Sequence, residues 1–183
     1  MIILEFSELV KKRRSIHFFT EEPVTEEELT YIFESAKWAP SAGNVQPTRY
    51  LVVRNTENRT KVFESTTGII GINPQNFILK APVHVIVLTD INAYKGRQSD
   101  IRSELFCIQD SAAATMNLLL AVADLGLGAC WVGLFDEDSL RDAFQIPTHL
   151  KPVAFIPIGH TKSKEKPRKR NQLKEFVFYK AFK

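Results

Sequence analysis

Ala39-Pro40-Ser41-Ala42-Gly43-Asn44-Val45-Gln46-Pro47 is a run of small and turn-forming residues set between a helical pattern and an apolar strand. Upstream, Thr25-Glu26-Glu27-Glu28 forms a capping box, and Leu29, Ile32, Phe33 and Ala36 recur at helical spacing, which predicts a helix from Glu26 to about Lys37. Downstream, Arg49 to Arg54 reads as a buried strand. Loops framed in this way commonly carry sites. Gly43 permits a backbone conformation closed to other residues, and the amides of Asn44 and Gln46 can donate and accept toward the edge of a heterocycle. An ordinary connecting loop satisfies the same residues.

Toward the N-terminus lies Lys12-Arg13-Arg14-Ser15-Ile16-His17. Two arginines beside a serine suit a phosphate dianion, since the guanidinium fork is permanently charged and the hydroxyl adds a donor. Leu4 to Arg14, with Ser7 as N-cap, reads as a short helix with Phe6, Leu9 and Val10 on one face, and a basic C-terminal end complements the helix dipole without any ligand. Toward the C-terminus, Val83 to Thr89 reads as a buried strand, preceded by an irregular stretch holding Gly68, Gly71 and Pro74. Ala112, Met116, Leu119, Leu120 and Ala123 predict a long, largely buried helix from Glu104 to about Leu125, ended by Gly126-Leu127-Gly128. A strand over Ala129 to Leu134, a short helix beginning at Asp138 with Leu140, Ala143 and Phe144 on its apolar face, and a core strand over Val153 to Gly159 complete the pattern. The alternation predicts an α+β or α/β sandwich.

The chain has 183 residues and is 44% hydrophobic, enough for one sizeable core, and nothing divides it, so residues 1–183 are expected to form a single domain. No stretch approaches the roughly 20 apolar residues of a membrane span, and the N-terminus lacks a secretory core, which predicts a cytoplasmic protein without a membrane partner. The net charge of +3 is local, gathered at residues 11–14 and 162–170. The second segment, Lys162 to Arg170, lacks the interleaved aromatic and basic face expected of a nucleic-acid site, so no nucleic-acid partner is expected. Cys107 and Cys130 lack metal-ligand spacing and read as small core residues. The glycines from Gly126 to Gly133 follow a helix and lack the dinucleotide-binding spacing. His84, His149 and His160 form no hydrolytic constellation and read as structural. Tyr94, Lys95 and Arg97 read as a solvated loop, with reception of an acidic or aromatic substrate or of a nicotinamide donor's phosphate as the alternative, and the apolar tail Phe176 to Phe182 reads as a segment that packs on a partner subunit or on its own core.

Taken together, the Arg-Arg-Ser run, Ala39 to Pro47, Lys80-Ala81-Pro82 before a Val/Ile strand, Asn117 to Ala121, Leu125 to Gly133 and Ile156-Pro157-Ile158-Gly159-His160 resemble, in order, the nitroreductase family over about residues 5 to 172. One departure is Thr48, where the family usually has an aromatic residue.

The resemblance implies an α+β sandwich with a mostly antiparallel sheet flanked by helices, and an intertwined homodimer with FMN sites built from both subunits. It implies that Arg13, Arg14, Ser15 and His17 hold the FMN phosphate, with Arg168 and Arg170 as a second clamp within 162–170. It places Pro40, Ser41, Ala42, Asn44 and Gln46 in the loop that approaches the flavin ring, the first three from the partner subunit. Trp131, Val132, Gly133 and Leu134 would lie against the ring's other side, with a backbone N–H near Gly133 or Leu134 facing N5, and Gln75 or Asn76 would meet the pyrimidine edge. The implied activity is NADH- or NADPH-dependent reduction of nitroaromatic, quinone or flavin-like acceptors by a ping-pong mechanism, with no protein residue acting as acid, base or nucleophile. The residues 173–183 would pack in the dimer. A non-catalytic FMN-binding protein and a relative with flavin-fragmenting or dehalogenating chemistry are the alternatives within the resemblance.

Overall fold

The computed structural model describes residues 5–67, 76–97 and 102–179. Four strands, β1 (Thr48–Val53), β2 (Val83–Asp90), β3 (Gly128–Ala129) and β4 (Leu150–Gly159), form one antiparallel sheet in the order β1-β2-β4-β3. The expectation of a mostly antiparallel α+β sandwich is met.

β2 is the hub because alternate side chains leave a strand on opposite faces. Val83, Val85 and Val87 point into one core with Ala154, Ile156 and Ile158, beneath helices α2 (Glu26–Ala36) and α5 (Ser103–Asp124). Ile86 and Leu88 point into the second core with Phe155, where Val62 of α3 (Thr56–Glu64), Ile78 of α4 (Phe77–Lys80) and Leu140 of α6 (Glu137–Phe144) close over them. A strand buried on both faces needs the near-continuous apolar run that Val83 to Leu88 supplies, broken only by His84.

The capping box of α2 is present: Glu28 N–H donates to Thr25 Oγ1 at 3.1 Å, and Thr25 N–H to Glu28 Oε2 at 2.8 Å. Tyr31 Oη, donating to Asp124 Oδ2 at 2.6 Å, ties this helix to the end of α5. Gly126 ends α5 with φ +76°, a left-handed value that glycine adopts without penalty.

Several expectations need correction. Helix α1 spans Phe6–Lys12 and its N-cap position is Glu5, not Ser7; it buries no residue fully, leaving Phe6 and Val10 exposed. The stretch between β1 and β2 is not irregular throughout, since Asn55 Oδ1 caps α3 by accepting from Asn58 N–H at 2.8 Å. The strand expected over Ala129 to Leu134 pairs only at Gly128 and Ala129, after which Val132 alone rejoins Phe155 through two 3.0 Å backbone bonds. α5 is by length and composition apolar enough to cross a membrane, with mean hydropathy 1.5, where no such stretch was expected; half of that window is buried in the protein, as a core helix requires.

Candidate active site

The chain leaves α1 at Arg13 in extended conformation and runs beside β3, where Ser15 bridges Ala129 in parallel and Ile16 N–H donates to Ala129 O at 2.9 Å. Gly128 makes this approach feasible, because a Cβ there would stand 2.7 Å from Ile16 Cγ2. Arg13, Arg14, Ser15 and His17 thereby line a cavity of about 260 Å³, and Arg168 and Arg170 reach its other side, together with Cys130, Glu165 and Lys166. Six residues expected to hold a phosphate from two distant segments therefore converge.

The electrostatics of this cavity call for an anion. Burial lowers the pKa of Arg13 below its ordinary value, and the guanidinium groups of Arg170 and then Arg14 lower it further. Arg14 Nη1 donates to the carbonyls of Lys11 and of Arg13, the latter at 2.8 Å, while its Nε is buried without a partner among the described residues. Crowded cations and an orphaned donor fit a phosphate that would accept from both. The His17 ring packs at a 46° tilt against Phe77 with ring centroids 4.5 Å apart, and its Nε2 lies 3.5 Å from Cys130 Sγ. Burial, the largest influence on Cys130, pushes its thiol pKa up, which suits an inert core thiol rather than a nucleophile.

The 39–47 loop forms a second group. Gly43, Asn44 and Gln46 all have left-handed φ values, +57°, +54° and +54°. Non-glycine residues in that region persist where surrounding bonds over-determine them. Here Gln46 N–H donates to Ser41 Oγ at 3.0 Å, Gln46 Nε2 to Asn44 Oδ1 at 2.9 Å, and Arg49 Nη1 to Gln46 O at 2.9 Å. Ala42 N–H donates to Asp110 Oδ1 at 3.2 Å and Tyr94 Oη donates to Ala42 O at 3.0 Å. Pro40, Ser41 and Gln46 line a cavity of about 160 Å³ with Tyr50, whose hydroxyl is buried without a partner among the described residues and whose pKa burial pushes up to about 12.

At the third group, Trp131 and Leu134 are exposed while Val132 packs into the second core. The backbone N–H groups of Gly133 and Leu134 donate to nothing among the described residues, which leaves the donor expected near N5 available. Gln75 lies outside the described residues; Asn76 precedes α4 in helical conformation.

The clamp and the loop thus line separate cavities of one chain. The sequence reading missed Tyr94 and Asp110, both buried, and missed Phe77. Tyr94 is no solvated loop residue: its ring packs on Phe106 with centroids 5.7 Å apart and it is 1% exposed. Asp110, a lone acid on the Ala-rich face of α5, was the legible signal, since a buried carboxylate must find donors.

Residues 10–160 match the family described as the nitroreductase family. The chain belongs to it. A Methanothermobacter thermautotrophicus member named for NADH dehydrogenase or NAD(P)H nitroreductase activity is 35% identical over 162 residues, 86% of this chain and 78% of its own. The Bacillus subtilis FMN reductase [NAD(P)H] is 29% identical, over 85% of this chain and 66% of its own. Among solved structures, a nitroreductase family protein from Clostridium novyi superposes with a TM-score of 0.75 at 26% identity, covering 87% of this chain and 86% of that one.

Proposed function

We propose that this nitroreductase is an FMN-dependent oxidoreductase that uses NADH or NADPH to reduce planar, electron-poor acceptors such as nitroaromatics, quinones or flavins. The observation that carries the reading is the convergence of Arg13, Arg14, Arg168 and Arg170 on one cavity with Ser15 and His17. Four guanidinium groups match the nearly double negative charge of a phosphomonoester better than they match any neutral ligand.

Bound FMN would supply the redox chemistry, taking a hydride equivalent from the nicotinamide and passing electrons to the acceptor. The residues do the rest. Arg13, Arg14, Arg168 and Arg170 fix the phosphate, with Ser15 as a further donor. Gly133 or Leu134 offers a backbone N–H toward N5, and Trp131 and Leu134 supply apolar surface against the ring. Pro40, Ser41 and Ala42, contributed by a partner subunit, cover the other side with Asn44 and Gln46. No side chain is assigned as acid, base or nucleophile; donor and acceptor would alternate over one face, which gives ping-pong kinetics.

The shared site requires a homodimer. α5 leaves Leu105 and Ile108 exposed, and α1 leaves Phe6 and Val10 exposed, an apolar surface suited to a second copy. Leu173, Phe176 and Tyr179 of the tail are exposed as well. In this reading residues 1–183 act as one domain, with 162–170 as clamp and 173–183 as dimer-packing segment.

The test is the visible spectrum of the purified protein with FMN, then with NADH and NADPH in turn under anaerobic conditions. Bound flavin that bleaches with either donor supports the reductase. Bound flavin that neither donor bleaches supports a binding protein instead, and absence of binding overturns the cofactor assignment.

A further inference from the structure

We propose that Tyr94 and Asp110 are positioning residues that set the flavin-facing conformation of the 41–46 loop by holding both backbone polar groups of Ala42. The role rests on the flavin reading above, whereas the anchoring itself does not.

The geometry is a closed triangle. Asp110 Oδ1 accepts from Ala42 N–H at 3.2 Å, and Tyr94 Oη shares its one proton between Ala42 O, at 3.0 Å, and the Asp110 carboxylate. The three residues come from the loop, from the turn after β2 and from the third turn of α5, so no local sequence rule joins them. Asp110 is 8% exposed and Tyr94 1%, so water competes little for these bonds. Burial and then the neighbouring Asp110 carboxylate raise the Tyr94 pKa, keeping the hydroxyl a donor.

The loop needs such an anchor. Ala42 immediately precedes Gly43 and Asn44, both left-handed, and Gln46 follows with the same sign of φ. These conformations are disfavoured for side-chain-bearing residues, so a loop tied only by its own bonds would sample others. Fixing the Ala42 peptide on both sides orients the left-handed run that follows and the Pro40-Ser41 segment before it. Such residues act through the loop, by reducing the ordering that ligand binding must otherwise supply.

The test compares Tyr94→Phe with the wild type. Phenylalanine keeps the ring against Phe106 and removes only the hydroxyl. Three quantities are read: hydrogen–deuterium exchange at residues 41–46 in flavin-free protein, FMN affinity, and kcat and KM for a quinone acceptor with NADH. Faster loop exchange with the sheet unchanged, FMN binding weakened by about tenfold, and a raised acceptor KM with kcat changed less would support the proposal. Asp110→Ala, which removes the acceptor of Ala42 N–H and leaves Tyr94 Oη to donate to Ala42 O alone, should speed the same loop exchange. It serves as the measurement if Tyr94→Phe does not fold. Loop exchange as slow in both variants as in the wild type overturns the anchoring. Faster exchange with unaltered FMN affinity and KM overturns its functional role. Wild-type protein that binds no FMN, with exchange still dependent on Tyr94, overturns the flavin reading and leaves the anchoring standing.

Discussion

Gly128 and Ile16 are packed so closely that a Cβ at 128 would lie 2.7 Å from Ile16 Cγ2 and 2.9 Å from its Cβ. That contact seats the segment after the arginine pair against the sheet. Gly128→Ala should cost about 1–3 kcal/mol through forced backbone displacement and should weaken FMN binding with it. Urea denaturation and a flavin titration on the same preparation check both; a variant as stable as wild type would show that Ile16 can yield without disturbing β3.

Arg13→Ala and Arg168→Ala each remove a charged donor from the clamp cavity. A lost hydrogen bond to a charged group is worth about 1.5–3 kcal/mol, so FMN affinity should fall by about 10- to 100-fold. Riboflavin, which lacks the phosphate, should bind both variants much as it binds wild type. Fluorescence titration with the two flavins separates a phosphate clamp from a general loss of structure.

His84 makes folding stability depend on pH. Its Nε2 lies 2.7 Å from Ile78 O, its Nδ1 is buried without a partner among the described residues, and burial lowers its pKa to about 4 from 6.5. The unfolded chain therefore binds a proton below pH 6.5 that the folded chain refuses until near pH 4. The neutral ring's contribution is complete above pH 6.5 and declines as pH falls toward 4, by about 3 kcal/mol in all. Denaturation midpoints from pH 7 to 4 should show this slope, and His84→Phe should flatten it.

Gly43 has φ +57° with no close neighbour short of Val45 Cγ2 at 4.0 Å, so a methyl group there meets backbone strain rather than a clash. Gly43→Ala should cost about 1–2 kcal/mol, confined to the loop. A raised acceptor KM with little shift of the main thermal transition is the expected result.

Ile108 is 41% exposed on the outer face of α5, beside Leu105. Under the shared-site reading, Ile108→Glu would place a charge on the subunit interface, and sedimentation should show a smaller species than wild type, with bound FMN lost alongside it. Wild-type size with FMN retained would move the subunit interface elsewhere.

Local rules carried the sequence reading far. The Thr25 box, the alternating valines of β2 and the small residues of α5 each announce an element within a dozen residues. Helix α3 escaped because Val62 is its only fully buried side chain, so its apolar period is faint although Asn55 caps it. The strand after Gly128 was overestimated because Trp131 and Leu134 are apolar in composition yet exposed in place. For the candidate site, the arginines were legible as chemistry, and their convergence required the fold. Tyr94 and Asp110 stood least visible, since their meaning arises from contact with Ala42, 52 and 68 residues away.

Clamp and loop occupy different cavities of the same polypeptide, and this has a genetic corollary under the shared-site reading. A subunit damaged at Arg13 still carries a sound loop, and one damaged at Pro40 still carries a sound clamp. Co-expressed, the two defective alleles would assemble mixed pairs in which one composite site is whole and the other doubly broken. Interallelic complementation to about half the activity per mixed pair is the pattern to look for, whereas both lesions on one allele would leave a wild-type partner no intact site to share.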